Sequence, residues 1–166
     1  ANTVRQLMEF RKIDQNRVSM NLAEVDIVEY VRRICDYFRA LFESKGLKLV
    51  CDLPGETIPM TFDPEKIELA LYNLLQNAYT FTHPGGEVSV SLRRSGRTVC
   101  IAVYDTGIGI RSEYLDKIFL RFWQVHESDT MPPLGAGIGL AVAREFVEMH
   151  NGHIEVESRY GAGSTF

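Results

Sequence analysis

Nowhere in the 166 residues does an apolar run approach the roughly 18 positions that a membrane-spanning helix needs, and no signal peptide opens the chain. Basic residues are outnumbered: 18 Lys and Arg against 22 Asp and Glu give a net charge of −4, without the basic footprint of a nucleic-acid binder. Cysteine is scarce. Cys35, Cys51 and Cys100 are odd in number, widely spaced and without metal-ligand pairing, so they read as buried free thiols of a reducing compartment. No Gly-Lys-Ser/Thr appears, so there is no Walker loop. What remains, 45% apolar and 24% charged, suits a globular chain with material for one core.

Periodicity divides the chain. Val4, Leu7, Met8 and Arg11 share a helical side in residues 1 to about 16. From Asp26, apolar residues recur at spacings of three and four (Ile27, Val31, Ile34, Cys35, Phe38, Phe42), and Gly46 closes that helix. LKLVCDL alternates as a strand. Asp63 caps a second helix, with Pro64 at its first position and Ile67, Ala70, Leu71, Leu74, Leu75, Ala78 and Phe81 as its buried stripe. EVSVSLRRS and TVCIAVYD form a hairpin about Gly96. A helix is expected over the first half of RSEYLDKIFLRFWQVHESDTMPPL, another from Gly139 to Met149, and a strand over HIEVESR. The mixture lacks strict βαβ alternation, so the predicted fold is a two-layer α/β sandwich: a mixed sheet of about five strands with helices on one face.

Two asparagines on the second helix, in NLLQNAYTFT, stand four residues apart. Asn73, Asn77 and Thr80 line one stripe beside the apolar one. Their side chains either face water or offer carboxamide oxygens to a hard cation and N–H groups to anions. DTGIGI ends a strand with an acid that can accept from an exocyclic amine, followed by glycines that let backbone approach a flat ring. GAGIGL leads into a helix whose free N–H groups suit a polyphosphate. Either glycine loop alone reads as tight turns. The order of asparagine helix, acid, glycines, intervening segment and glycines is the stronger signal.

These stretches resemble the ATP-binding catalytic domain of sensor histidine kinases, within the wider ATPase group of gyrase, the large heat-shock chaperone and MutL proteins. The resemblance covers residues from about 22 onward. NLLQNAYTFT is similar to the family's asparagine box, DTGIGI and GAGIGL to its two glycine boxes, IFLRFWQV to its phenylalanine box, and GSTF to its terminal small-residue motif. The opening QLMEFRKID is similar to the end of a second dimerisation helix, especially in hybrid kinases. The division implied is residues 1–20 as the end of that helix with a linker, and 21–166 as the catalytic domain with its last strand cut short.

The resemblance implies ATP and Mg²⁺ as ligands. It assigns Asn77 to the metal with Asn73 assisting, Asp105 to the adenine amino group, and Phe81 to the adenine face. Gly107, Gly109 and Ile110 admit the ring. Gly135, Gly137 and Gly139 line the phosphates, with Leu140 starting the next helix. Phe119 and Phe122 anchor a lid of roughly residues 120 to 137, and Thr165 lies near Asp105. It further implies phosphoryl donation to a histidine of the chain's own dimerisation domain, then to a response-regulator receiver. The whole protein would be a homodimeric, membrane-anchored sensor, with this part in the cytoplasm and no nucleic-acid partner.

Hydrolysing relatives carry a glutamate at the position of Asn73; an amide takes no proton near neutral pH and cannot activate water. Two positions depart from the family: Thr80 replaces a usual Lys or Arg, and Leu120 a usual acid. Arg121 is the candidate for the missing positive charge. None of the four histidines, His83, His126, His150 and His153, has a phosphoacceptor setting, so the acceptor is expected upstream; His150 reads as a helix cap. The alternatives are a degenerate interaction module with weak or no ATP use, a hydrolysing ATPase, and a serine kinase.

Overall fold

The computed structural model describes residues 19–124 and 137–166. The expected end of a dimerisation helix, His126, Gly135 and most of the expected lid lie outside the described residues.

The first described strand, β1 (Ala23–Asp26), runs directly into helix α1 (Ile27–Ser44). Asp26 makes that junction. Its Oδ1 accepts from Val28 N at 3.1 Å, capping the helix, and from Ile58 N at 2.9 Å, pinning the chain ahead of β3 (Pro59–Phe62). Strand β2 (Lys48–Asp52) follows Gly46, whose φ of +75° turns the chain out of α1. Asp63 caps α2 (Pro64–Phe81) and Pro64 opens it, as the sequence predicts. The hairpin of β4 (Glu87–Ser95) and β5 (Thr98–Asp105) also falls where expected. Helix α3 (Gly139–Met149), with His150 as its C-cap, is followed by Asn151 with φ +58°, before β6 (Glu157–Arg159) and β7 (Gly163–Thr165).

Five strands form one sheet in the order β2-β4-β5-β7-β6. The β2–β4 pair is parallel and the others antiparallel, so the sheet is mixed, as predicted. Along β4, Val88, Val90 and Leu92 are buried and alternate with half-exposed positions, the pattern of a sheet with one covered face. Against that face pack Val31, Cys35, Phe38 and Phe42 of α1 and Leu71, Leu74, Leu75 and Ala78 of α2. Each fully buried apolar side chain of this size contributes on the order of 2 kcal/mol through removal from water.

Several expectations need correction. PMTF is a strand, β3, paired antiparallel with β1 in a separate two-stranded sheet; its pairing partners lie 33 or more residues away in sequence, from Ala23↔Phe62 to Asp26↔Pro59 inward, which local pattern does not reveal. The helix expected after Ile110 is a 3₁₀ turn, Ser112–Tyr114, continued by further turns. There Tyr114 N bonds Arg111 O and Lys117 N bonds Tyr114 O, while the rings of Tyr114 and Trp123 pack 5.3 Å apart. The strand over HIEVESR is confined to its last three residues. Phe81, the last residue of α2, is not buried but 43% exposed. Cys100 is exposed, and only Cys35 is fully buried.

A buried polar corner holds the start of α2 to the end of α3. Asp63 Oδ2 accepts from Lys66 Nζ at 2.8 Å and from Asn21 N at 2.8 Å, and Lys66 Nζ also donates to Ser19 O at 2.9 Å. His150, the residue ending α3, accepts from Asp63 N through Nε2 and bonds Phe146 O through Nδ1. The capping role read from the sequence is therefore real, and it has a second partner.

Candidate functional site

The sheet's alternation places its one buried acid. Directly opposed residues share a face, and the register Val90↔Val103, Val88↔Asp105 puts Asp105 on the side covered by helices. At the strand's end the covering thins, so a carboxylate stands at the margin of the core with 6% exposure. Burial pushes its carboxyl above the usual carboxylate range; hydrogen bonds from the backbone N–H groups of Gly107 and Ser164 pull it part of the way back. Two accepted bonds leave a carboxylate with unused lone pairs for an outside donor.

The next residues are shaped by close backbone approach. Gly107 N donates to Asp105 Oδ1 at 2.8 Å, and a Cβ on Gly107 would lie 2.5 Å from Phe81 O. Ile108 N donates to that same carbonyl at 3.1 Å. Thus the acid-glycine loop is tied to the last residue of α2. On its other side the loop is tied to the β6–β7 hairpin. Gly161 N bonds Ile108 O at 2.7 Å, and Ile110 N bonds Ser158 Oγ at 2.8 Å. At Gly109, with φ +68°, a Cβ would meet Arg159 O at 2.0 Å. No other residue fits there.

From Phe81 the helix leads back to the asparagines. Asn77 lies one turn earlier and Asn73 another, at about 1.5 Å of rise per residue. Asn73 is buried, with 3% exposure, and Asn77 is half-buried. Asn73 faces the first residue of α3: a Cβ on Gly139 would stand 3.1 Å from Asn73 Oδ1. Ile138, the residue preceding α3, makes no side-chain cap, and the first N–H groups of a helix have no acceptor within the helix itself. Acid, glycine loop, asparagine stripe and uncapped helix start therefore follow one another along one side of α2.

Gly137, with φ +66°, accepts from Phe122 N through its carbonyl at 2.8 Å. The two ends flanking residues 125–136 are thereby held together. Phe119 packs edge-on against Phe166 with centroids 6.3 Å apart, under the guanidinium of Arg144. Phe122 is exposed and holds φ +63°, an uncommon conformation for an aromatic residue. Arg121 reaches Glu145 of α3 at 3.8 Å, an exposed pair of little energetic weight. Leu140 packs partly into the core from α3. Thr80 accepts from Gln76 Nε2 at 3.5 Å, and Lys45 donates to the carbonyls of Tyr79 and Thr80, closing the end of α2 with a cation that the sequence did not signal.

The register orders the residues beside the acid. Thr165 pairs with Tyr104, on the open face, whereas Ser164 pairs with Asp105 and is buried. Ser158 is a second residue that sequence reasoning missed. Its hydroxyl donates to Gly163 O at 2.9 Å and meets Ser164 Oγ at 2.9 Å, joining the glycine loop to the strand behind Asp105. Only the β6–β7 pairing brings these serines together, and no local motif announces it.

The arrangement has the chemistry a nucleotide needs: a buried acceptor for an amine, glycine backbone beside it, and for phosphate the start of a helix without a side-chain cap from Ile138. Among the described residues no three His, Cys, Asp or Glu side chains gather as a metal site. The amide oxygens of Asn73 and Asn77 fit Mg²⁺, which takes few protein ligands and completes its shell with phosphate and water.

The model of histidine kinase-, DNA gyrase B-, and HSP90-like ATPases matches residues 62–166. The circadian input-output histidine kinase CikA of Synechococcus elongatus is 42% identical over 165 residues, which span 98% of this chain and 22% of that protein. The crystal structure of full-length ShkA in complex with AMPPNP matches with a TM-score of 0.84 at 25% identity, over 99% of this chain and 34% of the other. The nucleotide-free catalytic domain of histidine kinase ThkA matches with a TM-score of 0.77 at 25% identity, over 89% of this chain and 95% of the other. The chain spans less than half the length of the curated relatives it matches.

Proposed function

This chain belongs to the histidine kinase-, DNA gyrase B-, and HSP90-like ATPase family, and from that membership we propose that it binds Mg²⁺-ATP and presents the γ-phosphoryl group to a histidine of an adjoining dimerisation domain. The observation that carries the reading is the sequence of Asp105, Gly107, Phe81, Asn77, Asn73 and Gly139 along one side of α2. Asp105 accepts from the adenine amino group, beside the exposed ring of Phe81, while Gly107, Gly109 and Ile110 shape the ring's slot. Asn77 and Asn73 would hold Mg²⁺, which would supply positive charge to the phosphates. Gly135, Gly137, Gly139 and the start of α3 meet the phosphates through backbone. Ser164 supports Asp105 through its backbone N–H, with Thr165 beside it.

Catalysis by such a site is positioning and charge stabilisation. An asparagine at position 73 provides no general base, so bound ATP waits for an imidazole nucleophile instead of water. Arg121 is the cation proposed to meet the transferring phosphoryl, after leaving Glu145. The kinases named above support the acceptor as histidine. Residues 1–20 then end a dimerisation helix, the whole protein is a homodimer passing phosphate to a response-regulator receiver, and this domain sits on the cytoplasmic side of a membrane-anchored sensor. No described helix is long and apolar enough to cross a membrane.

The test is to incubate this chain and the full-length protein with γ-labelled ATP and Mg²⁺. The expected result is nucleotide binding by both, acid-labile label on a histidine of the full-length protein alone, and no sustained phosphate release by the chain. Failure to bind at millimolar ATP favours the degenerate interaction module; steady turnover by the isolated chain favours a hydrolase.

A further inference from the structure

The cap of α2 is completed by a residue 87 positions further along the chain. Asp63 Oδ1 accepts from Lys66 N at 3.3 Å, one half of a capping box. The other half needs an acceptor at the third helical position for the cap residue's own N–H. Lys66 holds that position, and its side chain only donates. The Asp63 N–H is met instead by Nε2 of His150, at the end of α3, at 2.9 Å. The two contacts of this ring fix its tautomer. A carbonyl only accepts, so Nδ1, 2.6 Å from Phe146 O, carries the proton. A backbone N–H only donates, so Nε2 carries none.

Helices α2 and α3 run in opposite directions and in step. Asp63 to Asn73 on the first lies alongside His150 back to Gly139 on the second, each a stretch of about 16 Å at the helical rise. Between these ends Leu69 of α2 is buried with Val142 and Phe146 of α3, and Lys66 Nζ stands 5.8 Å from the centre of the Phe146 ring. Apolar burial holds the helices together without fixing how far one slides along the other, because it is non-directional. A hydrogen bond does fix it, since the contact is lost within about half an ångström. The far end of α3 has such a bond, from Asp63 N to His150. At the near end there is no slack, for a Cβ on Gly139 would stand 3.1 Å from Asn73 Oδ1.

We propose that His150 is a positioning residue for the triphosphate: its bond to Asp63 N sets the axial register of α3 on α2, and so where Gly139 and the first N–H groups of α3 stand relative to Asn73. The inference rests on the nucleotide reading above and adds a residue to it that touches no part of the ligand. His150 acts from the opposite end of α3, through the helix. The adenine end, built by Asp105, Gly107 and the last turn of α2, does not depend on this register. Loss of the bond therefore weakens the grip on phosphate and leaves the grip on the base.

Two variants separate the bond from the fold. In His150→Gln the amide oxygen extends about as far as Nε2 and can accept from Asp63 N. In His150→Asn the side chain is too short to do so, while asparagine suits a helix end. Each variant and the wild-type chain are titrated calorimetrically with Mg²⁺-ATP and with adenosine, which carries no phosphate. His150→Asn should weaken Mg²⁺-ATP roughly fivefold or more, as for a coupling between separate sites, and leave adenosine unchanged; His150→Gln should bind both as the wild type does. A change that only loosened the fold would alter both ligands alike. A long-range proton–nitrogen correlation spectrum of the ligand-free chain at about pH 8, where histidine is ordinarily neutral, should show His150 protonated on Nδ1. Protonation on Nε2, unchanged Mg²⁺-ATP affinity in His150→Asn, equal losses of ATP and adenosine there, or a loss as large in His150→Gln would each overturn the proposal while the nucleotide reading stands. A wild-type chain that binds neither ligand would overturn that reading, and the proposal with it.

Discussion

Asp105 has two opposed demands on it. Burial favours its neutral form, since its pKa is raised, so the stability this confers is fully present below the ordinary carboxylate pKa and is lost as pH rises through the raised one. The carboxylate accepts from an amine more strongly than the neutral acid does, so binding gains over that same window. The rise in melting temperature produced by saturating ATP should therefore grow as pH climbs from ~4, the ordinary carboxylate value, toward neutrality; differential scanning fluorimetry across pH checks it, and a pH-independent increment would contradict it. Asp105→Asn should leave the fold intact, because an amide oxygen still accepts from Gly107 N, yet weaken ATP about tenfold or more, or ~1.4 kcal/mol, in a calorimetric titration. The acid and glycines were legible because their chemistry is local. Ser164 and Ser158 were not, because a one-residue difference in strand register decides whether Ser164 or Thr165 stands beside Asp105.

Elements were legible where a cap or turn residue announces them. Asp26, Gly46, Asp63 with Pro64, and Asn151 each act within a few residues of themselves. Strand β3 depends on β1, 33 or more residues away, whereas after Ile110 helical periodicity pointed to a helix and the chain instead forms a 3₁₀ turn and further local turns. The corner at Asp63 is where elements depend most on one side chain. Burial is the largest single influence on Asp63 and raises its pKa, but Lys66 and the N–H groups of Asn21 and Lys66 together outweigh it, and the net shift is downward. Its stabilising contribution is thus present above the ordinary carboxylate pKa and lost as pH falls through the lowered value. Asp63→Ala removes a cap and strands a buried ammonium, so urea denaturation should register a loss of ~3 kcal/mol. Gly109→Ala should cost about 2 kcal/mol or more, from its positive φ and the carbonyl of Arg159 at 2.0 Å from the new Cβ, read by the same denaturation series.

In the molecule as a whole, the sheet supplies the buried acid, α2 supplies the asparagines, and α3 brings backbone to them. The sandwich itself could be foreseen from alternation and periodicity, since one covered sheet face demands a helix layer. The site's two ends belong to separate units of that sandwich, and their distance is set by the Phe81 carbonyl, where Gly107 and Ile108 join loop to helix. A calorimetric comparison of the wild-type chain with Asn77→Ala and Asp105→Asn, titrated with ATP in the presence and absence of Mg²⁺, tests that union directly. The account predicts that Asp105→Asn weakens ATP in both conditions, whereas Asn77→Ala abolishes only the gain due to Mg²⁺. Wild-type affinity in Asn77→Ala with Mg²⁺ present, or in Asp105→Asn under either condition, would contradict it.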